Sequence, residues 1–209
     1  MEKKRFEECF AKQILSTCFP DVYGKIEVRD KPDLWCVERD IGIEVTNCTT
    51  EKEAEVLNLW LQIKKHKGVG QERNIERLKQ LGCEYQDILE WGPSDFVLSS
   101  FYRSIEQKIE RLNSPTANYK EMQEYHLFIN SMLEMDFGQQ FRVENRVREI
   151  LRASQGRTFS AVHILTRTHA LYTFYLSDKH PKELHFYNHI HWFAKEAIKE
   201  CRGEKDEQT

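Results

Sequence analysis

Residues Lys31 to Cys48 read KPDLWCVERDIGIEVTNC, and the reading of the whole chain turns on them. Two short apolar runs, Leu34–Val37 and Ile41–Val45, are rich in β-branched and aromatic side chains and flank the polar Glu38-Arg39-Asp40. That pattern predicts two strands meeting at a tight turn. Pro32 favours an extended backbone at Lys31 and brings no N–H to a ladder, so Asp33 stands at the start of the first strand. Side-chain direction alternates along the second strand. Gly42, Glu44 and Thr46 therefore share one face, and Ile41, Ile43 and Val45 the other. A carboxylate inside a strand is costly to bury without a compensating partner. Glu44 either faces water on a half-exposed sheet or binds a cation.

Pro32-Asp33, ten intervening residues, then Glu44-Val45-Thr46 resembles the core of the PD-(D/E)XK nuclease superfamily. The resemblance implies a restriction-endonuclease-like α/β fold, with a mixed central sheet flanked by helices. It implies that Asp33 and Glu44 hold a divalent metal, Mg²⁺ or Mn²⁺, and that the chain hydrolyses phosphodiester bonds, of DNA before RNA. It also implies that a Glu of the first helix reaches toward the metal. The family's lysine, two positions after the second acid, is replaced here by Thr46, whose hydroxyl can orient a water but carries no charge. The alternative is the same fold kept as a catalytically silent nucleic-acid-binding or protein-interaction module, and Thr46 feeds it.

The chemistry suits the residues. Neighbouring strands place facing side chains about 5 Å apart, so two acids on one face can share a hard, oxygen-ligated cation. The Val45 carbonyl is a candidate third ligand. A metal held there lowers the pKa of a bound water and offsets charge building on the phosphodiester. A cation to stand in for the missing lysine has to come from another element. Ser104–Leu112 (SIEQKIERL) puts Lys108 on a helix whose Ile105, Ile109 and Leu112 pack inward, and a four-carbon stem can carry an ammonium across apolar surface. Lys108 is accordingly expected within about 6 Å of a Glu44 carboxylate oxygen, unless it is a solvated helix lysine.

Upstream, residues 3–18 have helical periodicity through Phe6, Phe10, Ile14 and Thr17. Glu7 borders that stripe and is preferred to Glu8 as the helix acid. Tyr23–Arg29 alternates as a strand with one wet face, so three strands form a meander. Downstream, residues 51–112 read as a helical elaboration between the third and fourth core strands, its first helix opened by acidic residues that suit the helix dipole. Tyr125–Asn130 is a buried strand, and residues 139–153 an amphipathic helix with Phe141, Val143, Val147, Ile150 and Leu151 inward. Phe159–Leu165 and Leu171–Leu176 are the last strands. A closing helix opened by Pro181 carries the stripe Leu184, Tyr187, His191, Ala194, Ile198 and Cys201, which leaves His185 exposed.

Composition sets the limits. The 209 residues suit one domain over 1–203 with a charged tail at 204–209, and a net charge of −3 gives no overall basic footprint. Nucleic-acid contact then rests on local patches, Arg142 and Arg146 on one helix and Lys64 and Lys65 on another. No apolar run suits a membrane span, and the N-terminus lacks a signal-peptide core, so a cytosolic protein is expected, with a homodimer or a defence-system partner as possible company. The six cysteines show no CxxC pair and read as reduced, packed side chains. His185 and His189 have zinc-compatible helical spacing but no third ligand at spacing, and read as ordinary helix histidines, with His163 and His169 equally uninformative.

Overall fold

The computed structural model of the chain describes residues 5–48, 55–56, 59, 62–63, 68–81, 95–131, 133, 135, 137–166, 168–177, 183–186 and 190–203. Two helices, α1 (Phe6–Cys18) and α2 (Pro20–Tyr23), lead into β1 (Ile26–Val28), β2 (Leu34–Cys36) and β3 (Ile41–Asn47). After α3 (Val69–Gln80) and α4 (Asp95–Asn113) come β4 (Glu124–Asn130), α5 (Phe137–Ala153), β5 (Ala161–Leu165), β6 (Ala170–Tyr175), β7 (Glu183–Phe186) and α6 (Ile190–Arg202).

The strands form one seven-stranded mixed sheet in sequence order. β1, β2 and β3 make an antiparallel meander, β3–β4 and β4–β5 are parallel, and β5, β6 and β7 are antiparallel again. A parallel neighbour needs a crossover, and α4 and α5 lie in the two connections that require one. The period of two sorts the core into layers. Ile41, Ile43 and Val45 of β3 and Phe128 of β4 pack against α1 and α6 through Phe10, Ile14, Phe193 and Ala197. Leu127 and Ile129 of β4 and Val162 and Ile164 of β5 face the other way, onto Phe101, Ile105 and Leu112 of α4 and Val143 and Val147 of α5. Helices on both faces of a mixed sheet make this an α/β fold.

Four local expectations change. Tyr23 ends a short helix opened by Pro20 rather than starting a strand. Residues 183–186 are a seventh strand beside β6, where a helix was expected. The last helix therefore begins at Ile190, and its buried stripe is Ile190, Phe193 and Ala197. A frame counted from Leu184 does not survive the intervening strand, which is why Ile198 is 42% exposed and His191 lies on the surface. Phe141 is 60% exposed, because Val143 and Val147 already supply the inward row of α5. The side chain of Leu184, along with Pro181, Tyr187, His189 and the tail, lies outside the described residues.

Gly42 shows how tightly the meander closes. A Cβ there would stand 2.8 Å from Pro32 Cγ, 3.0 Å from Met122 Cγ and 3.2 Å from Tyr125 Cδ1. A proline ring cannot swing aside, so Gly42→Ala is expected to cost about 1–3 kcal/mol of stability as overpacking. Urea unfolding reads this as a lower midpoint at unchanged slope. An unshifted midpoint would mean that Pro32 yields freely.

Candidate active site at the open end of β3

β2 pairs with β3 only as far as Leu34 opposite Ile43, and one further step of that register sets Asp33 opposite Glu44. β3 runs on to Asn47 with β4 on its other side, so its last residues have an open edge where β2 has ended. The edge is used: the Val45 N–H donates to Asp33 Oδ2 at 2.8 Å. An extended residue directs its N–H and C=O to the same side, so the Val45 carbonyl faces that edge too. Glu44 shares its face with Leu127 and points toward α4, where it is completely buried.

Lys108 explains how the acid survives there. On α4, Phe101, Ile105, Lys108 and Leu112 follow the i, i+4, i+7, i+11 spacing of one face, so the lysine occupies a core position of its helix. Its Nζ lies 2.8 Å from Glu44 Oε2 and 3.3 Å from Asp33 Oδ2. The side chains are 13% (Lys108), 9% (Asp33) and 1% (Glu44) exposed, so a single ammonium balances two carboxylates almost out of water. Burial still pushes the Glu44 pKa up, and the charge of Asp33 adds to the rise, while Lys108 and Tyr119 oppose it. Among the described residues Glu44 Oε1 is buried without a hydrogen bond of good geometry, although the Tyr119 hydroxyl is near enough to lower the Glu44 pKa. Tyr119 Oη is likewise buried without one, and burial together with the Glu44 charge raises the tyrosine pKa well above its usual value.

A cleft of about 350 Å³ opens onto this group, lined by Arg5, Glu7, Glu8, Asp33, Val45, Thr46, Asn47, Lys108 and Arg111. Asp33, Val45, Thr46 and Lys108 thus converge on one cleft, with Thr46 half-buried in its wall. The two acids of the first helix, both lining the cleft, are placed differently. Glu7 is exposed at the rim, whereas Glu8 is 7% exposed and lies where burial, then the charge of Asp33, raises its pKa. Glu8 stands three and seven residues before the buried Ala11 and Leu15, which turns it inward, and it also accepts the Arg5 N–H at the helix start.

The expected basic pair on α5 lies elsewhere. Arg142 and Arg146 are exposed on α5 and line no part of the cleft, and Arg146 pairs with Glu149 at 3.0 Å. Arg148 is buried against Glu144 at 2.9 Å and donates to the Leu176 carbonyl. Lys64 and Lys65 fall outside the described residues. Among the described residues the cations lining the cleft besides Lys108 are Arg5 and Arg111, both exposed. Arg111 lies three residues after Lys108, a helical spacing that brings it to the same side.

A second polar cluster lies on the opposite face of the sheet. Tyr23 Oη stands 2.6 Å from His126 Nδ1 and 2.7 Å from His163 Nε2; His163 Nδ1 is 2.9 Å from Thr173 Oγ1, and His126 Nε2 is 3.2 Å from Glu124 Oε2. One assignment of protons satisfies every atom. His126 Nε2–H donates to the Glu124 carboxylate, so its Nδ1 accepts the Tyr23 O–H. His163 Nε2–H donates to the tyrosine oxygen, so its Nδ1 accepts from Thr173. Both imidazoles are neutral in this arrangement, and burial lowers both pKa values. His163 was therefore far from uninformative. His185 lies on β7 with its ring edge-on to Phe19 at 4.7 Å, and a strand position removes the helical spacing that would pair it with His189.

Among the described residues no helix is long and apolar enough to cross a membrane. Comparison of the chain with protein-family models, with curated proteins and with solved structures finds no match.

Proposed function

We propose that the chain is a divalent-metal-dependent nuclease of the restriction-endonuclease-like type, in which Lys108 on a helix replaces the lysine that the strand position Thr46 lacks. The observation that carries this reading is the Lys108 ammonium, 2.8 Å from Glu44 Oε2 and 3.3 Å from Asp33 Oδ2 at the mouth of a cleft. The order of elements supports it as well: a helix, a three-stranded meander, then a parallel fourth strand reached through a crossover helix.

The residues present suit a hard cation. Among the described residues no group of three or more His, Cys, Asp or Glu side chains forms a cage. The protein's share would be Asp33 and the Val45 carbonyl, which line the cleft, with Glu44 buried behind them, an all-oxygen set that suits Mg²⁺ or Mn²⁺ with retained waters. When bound, such an ion supplies an acidic water and charge compensation at the phosphodiester. The remaining work falls to the chain. Lys108 supplies a fixed positive charge where negative charge develops. The Thr46 hydroxyl holds water in the wall, and the Arg5 and Arg111 guanidinium forks hold backbone phosphates at the rim.

The silent-module alternative draws on the same triad, since one ammonium already neutralises much of the acid pair without any ion. Cleavage of plasmid and single-stranded DNA and RNA with Mn²⁺ separates the two. The nuclease reading expects cleavage that is lost in Glu44→Ala. It also expects Mn²⁺ at a hundred times its Kd to stabilise the fold by about 2.7 kcal/mol, an effect absent from the Asp33→Ala, Glu44→Ala double variant. Absence of cleavage together with a Mn²⁺ effect that persists in the double variant would overturn it.

A further inference from the structure

α1 and α6 pack side by side over one face of the sheet, and their contact brings together two thiols that line no part of the acid cleft. Cys9 on α1 is fully buried, Cys201 in the last turn of α6 is half-buried, and their Sγ atoms lie 3.2 Å apart although 192 positions separate them in sequence. Neither is in a disulfide. The two helices are also held in register beside this pair: Lys12, three residues after Cys9, bonds Glu200, the neighbour of Cys201, at 2.7 Å, and Gln13 bonds the same carboxylate at 3.2 Å. A disulfide needs its sulfurs about 2.05 Å apart, so an approach of about 1 Å closes the bond. Of the other described cysteines, Cys18 is half-buried at the end of α1, nine residues from Cys9. The Cys36 thiol donates to the Val22 carbonyl at 3.3 Å, and Cys48 belongs to the core on the opposite face.

We infer that Cys9 and Cys201 are an oxidation site of this protein, which a peroxide converts to a reversible disulfide tying the first helix to the last. The half-buried Cys201 reacts first, because peroxide reaches it from solvent. Its thiolate attacks one peroxide oxygen, the O–O bond breaks, and the sulfenic acid forms as the other oxygen leaves and takes a proton to become water. The Cys9 sulfur then attacks the Cys201 sulfur. The S–S bond forms, the S–O bond breaks, and a second water leaves with the Cys9 proton. Two thiols are oxidised and one peroxide is reduced to two waters. The tie closes nearly the whole chain into a loop, where the entropic stabilisation is largest, and a Tm rise of about 10 °C is expected.

The test treats the full chain with a small excess of hydrogen peroxide, blocks remaining thiols by alkylation, and maps peptides by mass spectrometry without reduction. The expected result is a linked pair of peptides carrying Cys9 and Cys201. The higher Tm should revert with dithiothreitol and be absent from Cys201→Ser. Recovery of both cysteines alkylated, of Cys201 as sulfinic or sulfonic acid, or of the link between other cysteines overturns the inference. So does a Cys9–Cys201 link that leaves Tm unchanged.

Discussion

Lys108→Ala is expected to lower folding stability by about 3–5 kcal/mol at neutral pH, the cost of removing one partner from a buried charge cluster. Asp33 and Glu44 would then face each other almost out of water, with the Val45 N–H on Asp33 Oδ2 as the remaining short contact. A solvated helix lysine could be removed with the fold intact, but at 13% exposure this one belongs to the buried cluster. The pH dependence follows from the raised Glu44 pKa. A carboxyl whose folded value exceeds its unfolded one contributes stability below the unfolded pKa, and loses it as pH rises through the folded value. Without the ammonium that opposes the rise, the variant's deficit is largest at neutral pH and shrinks as acid protonates Glu44. Urea unfolding from pH 7 to pH 5 checks this. Addition of Glu44→Gln should recover part of the loss, because the two sites share one interaction. A loss below about 1 kcal/mol at pH 7 would place the pair among ordinary surface ion pairs and remove the electrostatic account of the site.

Tyr23→Phe is expected to cost about 2–6 kcal/mol, since it leaves two buried ring nitrogens without a partner at about 1–3 each. The substitution keeps the ring against Phe19 and His163 and removes only the oxygen shared by His126 Nδ1 and His163 Nε2. The two histidines also set an acid limit. Their folded pKa values lie below the ordinary one, so their contribution is complete above about pH 6.5 and is lost as pH falls from there through the lowered folded values. Glu8 and Glu44, whose values are raised, act in the opposite sense at lower pH and blunt the slope. Thermal unfolding between pH 8 and pH 5 should show Tm falling below about pH 6.5 in parent and variant alike, because the imidazoles stay buried in both. A variant as stable as the parent at pH 8 would mean that the tyrosine hydroxyl is not part of the network's support.

Much of the scaffold was legible from local pattern. The alternation at Ile41–Thr46, the turn at Glu38–Asp40 and the inward row Ile105, Ile109 and Leu112 are properties of neighbouring residues, and each element appears where its period places it. Asp33 and Glu44 could be paired because antiparallel register across a short turn is counted in residues. Lys108 was within reach of the same reasoning, since a lysine on an apolar stripe needs an anion. The strand 183–186 was not legible: its four residues earn their state from β6 alongside, and a proline two residues earlier imitates a helix start.

By itself the sequence determined the α/β class, the meander and the acid pair, because periodicity and strand register act over a few residues; it offered Lys108 only as a candidate, since its meeting with the pair spans more than sixty residues. Only the tertiary structure decided that Glu8 rather than Glu7 turns toward Asp33, and that Arg5, Arg111 and Tyr119 border the site while Arg142 and Arg146 do not. It also decided that Tyr23, His126 and His163 form one buried network and that Cys9 meets Cys201. These are meetings between elements far apart in the chain, and they are set by which helix covers which face of the sheet, a choice made by the packing of the whole core rather than by any local run of residues.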